Sequence, residues 1–202
     1  MKYIRCPKCE INFIEETAEI CDVCARENNT FVTDIKFDIN HKRRNIFMVF
    51  QGKNYYEELT KGYLSASYKN ASGSTPFHWE MLEIVQPGDI IFHGMMQVIS
   101  AISVATSGCF ASDTTRKNER VRRVNCRPTL ISNTILTKMY EKEIIRTCSN
   151  FKYQPFDKNG NGNQGYLFDL NDELAGIFTR ALIDKNPSLL IKIPELNELV
   201  DL

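Results

Sequence analysis

Runs of apolar residues, short and closely spaced, set the rhythm of this chain. Asn45-Ile46-Phe47-Met48-Val49-Phe50 is a block of strand-forming residues that stops at Gln51-Gly52, and it reads as a buried strand. Lys61-Gly62-Tyr63-Leu64-Ser65-Ala66 predicts a short strand entering a polar loop over residues 67–76. Gln86-Pro87-Gly88-Asp89 is a turn that launches Ile90-Ile91-Phe92-His93. Gly94-Met95-Met96 reads as the next turn, followed by a strand over residues 97–106 and a further short strand over residues 121–125. Two segments change to helical spacing. Leu136, Met139, Tyr140 and Ile144 predict a helix over residues 133–147. From Asn171, an N-cap residue followed by Asp172 and Glu173, the positions Leu174, Ile177, Phe178, Ala181 and Leu182 form a helical stripe of the kind that packs a core. Strands in the middle with helices beside and after them predict an α+β body, a small curled sheet or barrel.

Composition narrows the class. The chain has 202 residues, 43% of them hydrophobic and 25% charged, so a packed core is expected rather than global disorder. Lys plus Arg and Asp plus Glu are both 25, so bulk charge names no partner. No apolar run approaches the roughly 18 residues that span a bilayer, and the N-terminus lacks the apolar core of a signal peptide. A cytoplasmic protein with no membrane partner is expected.

The sharpest local pattern is Cys6-Pro7-Lys8-Cys9 with Cys21-Asp22-Val23-Cys24. Two residues between cysteines let both thiolates of a tight turn reach one tetrahedral ion, and two such turns complete a closed four-thiolate site. Such a site is structural, because no position is left for water. The eleven-residue spacer is short but long enough for a minimal hairpin. A segment of about 25 residues needs the metal to hold together. The expected organisation is a zinc ribbon over residues 1–30, a linker over 31–44, and the main domain over 45–202, with structural Zn2+ as cofactor. Cys109, Cys126 and Cys148 are scattered and read as buried thiols.

Catalytic patterns are missing from the sequence. Histidine occurs only at His41, His78 and His93, without nucleophile-base order, paired metal-ligand spacing or a phosphate loop. A binding function is therefore expected in preference to catalysis. Asp157-Lys158-Asn159-Gly160-Asn161-Gly162 imitates the start of a calcium loop, but Phe168 stands where the closing acid belongs, so a glycine turn is expected. Between residues 116 and 127, Arg116, Lys117, Arg120, Arg122, Arg123 and Arg127 stand against one acid, Glu119. That local excess is a candidate contact for phosphates, with a solvated loop as the plain alternative.

An ordered series of short motifs carries a family resemblance over residues 45–183. Gly62-Tyr63-Leu64-Ser65-Ala66 is followed by Phe77-His78-Trp79 and then Val85-Gln86-Pro87-Gly88-Asp89-Ile90-Ile91-Phe92-His93. Ile99-Ser100-Ala101-Ile102-Ser103-Val104-Ala105 comes next, and Pro155-Phe156 later leads into Gly162-Asn163-Gln164-Gly165-Tyr166-Leu167-Phe168. Together these resemble the EVE-like domains of the PUA-like superfamily, found in bacterial modification-dependent restriction proteins that also carry HNH nucleases. The cysteine module resembles the short zinc ribbons that precede such domains. The resemblance implies a small twisted β-barrel with flanking helices. It also implies that a methylated or hydroxymethylated cytosine is flipped from duplex DNA into a pocket. On this reading Tyr63, Trp79, Phe92 and Tyr166 supply rings, Ser65, His78, His93 and Gln164 supply polar contacts, and Arg116, Lys117, Arg120, Arg122 and Arg123 meet phosphates. For each ring the plain alternative is core packing. Ser65 stands where the family pattern has an aromatic, and the chain contains no HNH motif. Either a separate nuclease partner cuts, or the protein reads DNA without cutting. The competing functions are an RNA-binding PUA-like module and a zinc-ribbon adaptor that docks another protein.

If the paired cysteines hold one structural ion, purified protein contains close to one zinc per chain. Cys6→Ser and Cys24→Ser should each lose most of it by metal analysis, and full retention in both variants would reject the ribbon.

Overall fold

The computed structural model describes residues 3–5 and 13–15 as backbone, and residues 44–113, 119–148 and 153–202 in full. Cys6, Cys9, Cys21, Cys24, Arg116 and Lys117 lie outside the described residues. The chain divides into two compact units, Met1–Lys42 and Arg43–Leu202. Within the first, β1 (Tyr3–Arg5) pairs antiparallel with β2 (Phe13–Glu15).

In the second unit one sheet carries the architecture. Its strands are β3 (Ile46–Phe50), β4 (Tyr63–Ser67), β5 (Ile90–Met95), β6 (Val98–Ala105), β7 (Phe110–Asp113), β8 (Arg120–Leu136) and β9 (Leu167–Asp169). Their order is β4-β8-β6-β5-β3-β9, with β7 also paired to β8. The β3–β5 pair is parallel and the others are antiparallel. The fold is α+β with a curled, half-barrel sheet.

The central strands read as unbroken apolar runs because both faces of the sheet are covered. Alternation along β3 sends Ile46 and Met48 into one core and Phe47 and Val49 into another. β5 does the same, with Ile90 and Phe92 on the first side and Ile91 on the second. The first core is closed by helix α4 (Asp172–Lys185), whose Leu174, Phe178 and Leu182 are fully buried. Its start is fixed as the sequence predicts: Asn171 Oδ1 accepts from the Leu174 amide at 2.9 Å. Among the described residues the remaining helices are α1 (Tyr55–Lys61), α2 (Phe77–Glu80), α3 (Glu141–Thr147), α5 (Leu189–Lys192) and α6 (Asn197–Val200).

Three expectations are corrected. The helix over residues 133–147 is strand as far as Leu136, then one 3-10 turn, and α3 begins only at Glu141. Leu136 pairs with Val98, and Met139 is 71% exposed, so the supposed core stripe keeps only Ile144 fully buried. Cross-strand pairing with β6 overrides the local period, and the Asn186 side chain pins the segment by accepting from the Asn133 amide and donating to the Asn133 carbonyl. Next, the β5–β6 turn falls at Met96 and Gln97, both with positive φ, and Gly94 and Met95 belong to β5. Finally, among the described residues the sheet does not close as a barrel by strand pairing: β4 and β9 lie at its two ends and each pairs on one side only. The Asp157 loop is the turn expected of it: Asp157 Oδ1 accepts from the amides of Asn159 and Asn161.

The joint between α1 and β4 positions the region discussed next. Gly62 caps α1 at φ 66° and ψ 47° and donates its amide to the Glu58 carbonyl. A Cβ there would stand 2.8 Å from the Cys126 carbonyl oxygen on β8. Gly62→Ala therefore combines left-handed strain with a backbone clash and should lower stability by at least about 1–2 kcal/mol in urea unfolding. An unchanged midpoint would show that this joint is not tightly held.

Candidate functional site

Helix α1 turns Tyr55, Glu58 and Leu59 inward, an i, i+3, i+4 stripe with a carboxylate in its middle. Glu58 is 2% exposed, and such a group survives burial only with partners. Gln51 Nε2 donates to Oε2 at 2.5 Å, and the Tyr166 hydroxyl lies 2.8 Å from both carboxyl oxygens. The Ser65 amide reaches Oε1 at 3.3 Å and its hydroxyl reaches the same oxygen at 3.5 Å. Burial nevertheless outweighs these donors and pushes the Glu58 carboxyl up to about 7.

The network continues inward. With its amide nitrogen facing Glu58, Gln51 turns Oε1 to His93 Nδ1 at 2.7 Å, which makes Nδ1 the protonated nitrogen. His93 Nε2 then accepts from the Ser103 hydroxyl at 2.7 Å. Complete burial pushes the His93 imidazole down to about 3, so the ring is neutral. Every proton in this chain of bonds points toward Glu58.

Tyr166 bridges the two ends of the sheet. Its carbonyl accepts from the Phe50 amide at 2.8 Å, extending the β3 edge just before β9. Its hydroxyl accepts from the outward amide of Ser65 on β4 at 3.0 Å. Its own amide donates to His78 Nδ1 at 3.0 Å, which leaves Nε2 as the protonated nitrogen of that ring. His78 stacks on Phe168 with centroids 6.0 Å apart, and burial pushes its pKa down. Residue 165 runs close against both rings: a Cβ there would lie 2.2 Å from Phe168 Cζ and 3.2 Å from His78 Cγ, which favours glycine. Trp79, edge-on to His78 with centroids 6.0 Å apart, packs partly buried against the same core as Tyr166.

On the other side of β4, Tyr63 and Ser65 share a face with Arg123, the cross-strand partner of Ser65. The Arg123 guanidinium lies 4.2 Å over the Tyr63 ring, and its Nε is buried without a hydrogen-bond partner. The Tyr63 hydroxyl donates to Glu57 Oε1 at 3.1 Å.

The structure thus gathers Ser65, His78, Trp79 and Tyr166 at the seam of the sheet, with Tyr63 and Arg123 beside them. It places His93 behind the seam, joined only through Gln51, and Phe92 fully in the core. Gln164 is exposed two residues before Tyr166. Arg122 is turned inward at 5% exposure, donating to Glu83 at 2.6 Å and to the Ser67 carbonyl, with its guanidinium over Tyr68. Strand alternation puts it on the face opposite Arg123, which removes it from the phosphate-facing set, while Arg120 is exposed. Sequence reasoning missed Glu58 and Gln51. The available signal was a carboxylate at an inward position of an otherwise apolar helix face. A second recess, at Arg44, Asn45 and Asp169–Asp172, has its main polar groups engaged: Arg44 with Glu198 and the Gly88 carbonyl, and Asn171 with Leu174. Among the described residues no cluster of three or more metal-ligating side chains occurs, and no helix is long and apolar enough to cross a membrane.

No protein-family model matches the chain, and no curated protein does. Among solved structures it is similar to the NMR structure of Rpa0253 from Rhodopseudomonas palustris, with a TM-score of 0.44 and 10% identity over 66% of this chain and 90% of that one. It is also similar to the YTH domain of Zygosaccharomyces rouxii MRB1 in complex with N6-methyladenosine RNA, with a TM-score of 0.37 and 9% identity over 50% of this chain and 67% of that one. Likenesses at this level assign the chain neither a family nor a function.

The buried carboxyl makes stability depend on pH with a definite sign. Glu58 is held neutral in the folded state, with a pKa raised from 4.5 to about 7, so its contribution is complete below pH 4.5 and lost as pH rises to 7. His93 works the other way, its stabilisation being lost as pH falls from 6.5 toward 3, and it is common to parent and variant. The stability of the parent relative to Glu58→Gln should therefore fall between pH 4.5 and 7, on the order of 3 kcal/mol, in urea unfolding at several pH values. A pH-independent difference would mean that Glu58 stays ionised throughout.

Proposed function

We propose that the chain is a nucleic-acid-binding protein that reads a modified base at the seam of its sheet. The carrying observation is the meeting of Ser65 and His78 on Tyr166, with the Trp79 ring against His78 and the Arg123-capped Tyr63 ring beside Ser65. Rings flanked by a few fixed polar groups and an arginine suit a planar, polar-edged and negatively tethered ligand, which is what an unstacked nucleotide is. Trp79 and Tyr63 offer stacking surfaces, the Ser65 hydroxyl and His78 Nε2 offer hydrogen bonds, and Arg123 offers charge to the backbone.

The motif resemblance favours DNA bearing methylated or hydroxymethylated cytosine, read by a PUA-like domain behind a zinc ribbon, in a restriction setting where any cutting belongs to a nuclease partner. RNA is the second reading, because the same groups serve a single-stranded base. Glu58 and His93 are positioning residues here, since neither reaches the surface.

Binding to unmodified, methylated and hydroxymethylated duplexes and to matched RNAs tests this directly. Trp79→Ala, with folding verified by circular dichroism, should lose the about 1–3 kcal/mol of a stacked base, and only on the modified ligand. Arg123→Ala should weaken all ligands alike and reduce the salt slope by about one. Preference for modified RNA would transfer the reading to RNA. Equal affinity for modified and plain ligands would sink the reader function, and no binding at all would leave the adaptor.

A further inference from the structure

Helix α1 has a second edge, away from the seam. There Tyr55, Tyr56, Leu59, Met95, Ser100 and Leu130 wall a recess of about 510 Å³, within the size range of small-molecule sites. Several features set its chemistry. No charged side chain lines it. The Tyr56 ring is 73% exposed and stands edge-on to Tyr55, with centroids 5.1 Å apart at 83°, while Leu130 opposite is 67% exposed. Two large apolar groups thus face solvent across a slot whose base is already built.

That base holds one polar feature, the Tyr55 hydroxyl and Ser100 Oγ 2.6 Å apart. Two hydroxyls own two protons, and their mutual bond uses one, so a donor and lone pairs remain for a third group. Ser100 sits where the β6–β8 register shifts, between Ile99 and Ala101, opposite the jump from Leu130 to Ile135. Bulges of this kind re-aim a side chain, and here the Ser100 hydroxyl meets Tyr55 of α1.

We propose that this recess binds an uncharged small molecule consisting of a planar aromatic ring with one hydrogen-bonding substituent, taken up free from solution. The tyrosine, methionine and leucine walls select the flat apolar body. The hydroxyl pair selects the substituent. The lack of any cation or anion in the lining selects against a charged ligand, and against a base within a strand, whose flanking phosphates would find no partner there.

Phenol is the probe, titrated into the full chain labelled with nitrogen-15 and followed by amide shifts. Saturable shifts confined to Tyr55, Leu59, Met95 and Ser100 are expected, at roughly millimolar affinity for so few atoms. Benzoate should bind at least about tenfold more weakly, since its charge loses solvation without compensation. Ser100→Ala should weaken phenol by about fivefold and leave fluorobenzene unchanged, the loss of one neutral hydrogen bond. Leu130→Trp, at an exposed position, should block the slot while the rest of the spectrum reports an intact fold. The proposal is overturned if phenol gives no saturable shifts, if benzoate binds equally, or if binding survives Leu130→Trp. It is equally overturned if a short single-stranded oligonucleotide shifts the same amides at lower concentration than phenol. The phenol, benzoate and variant outcomes do not bear on base reading at the seam, which shares no side chain with the recess, whereas oligonucleotide binding here would count against both readings.

Discussion

A sheet that curls without closing leaves two edges, and this one resolves the problem with a buried carboxyl. The outward amide of Ser65 on β4 has no strand to pair with, and an unpaired buried donor is costly. Tyr166 carries the answer across the seam: its backbone extends the β3 edge while its hydroxyl accepts from Ser65 and donates to Glu58. Glu58 ties that hydroxyl to α1, and Gln51 and His93 tie Glu58 to β3 and β5. Packing alone would hold the two cores. It would not fix the spacing of β4 from the β9 segment, and that spacing sets where Ser65, His78 and Trp79 stand.

The same constraint explains what the sequence did and did not disclose. Strands β3 and β5 were legible because burial on both faces makes their residues apolar without interruption, and α4 was legible because its cap and its stripe agree. The long β8 was not. Residues 130–136 alternate weakly, Leu130 and Leu136 face solvent, and the segment owes its form to β6 and to Asn186, which lies some fifty residues further along the chain. The site divided in the same way. Tyr63, Ser65, His78, Trp79 and Tyr166 stood out as rings and polar groups within short sequence motifs, whereas Glu58 and Gln51 look like surface residues until the fold turns them inward.

Charge tells a related story. A run of arginines in sequence suggests a single basic face, but a strand presents two. Arg122 is consumed on the inner side by Glu83, the Ser67 carbonyl and Tyr68, and Arg123 stays on the outer side over Tyr63. A buried guanidinium so paired supports the fold and offers nothing to a phosphate. The outer arginine retains a buried Nε without an acceptor, an unspent donor at the margin of the seam.

On the proposed reading, the hydrogen bonds already made limit how the seam would discriminate between ligands. The Tyr166 hydroxyl is engaged, accepting from Ser65 and spending its proton on Glu58, and the Ser65 amide is used in the same exchange. His78 Nδ1 is occupied by the Tyr166 amide. What remains for an incoming group is His78 Nε2–H, the Arg123 donors and the Ser65 hydroxyl. The Ser65 hydroxyl also stands 3.5 Å from Glu58 Oε1, so the buried carboxyl lies directly behind it. On the proposed reading the ligand would meet these three groups and not Glu58, which is buried behind them.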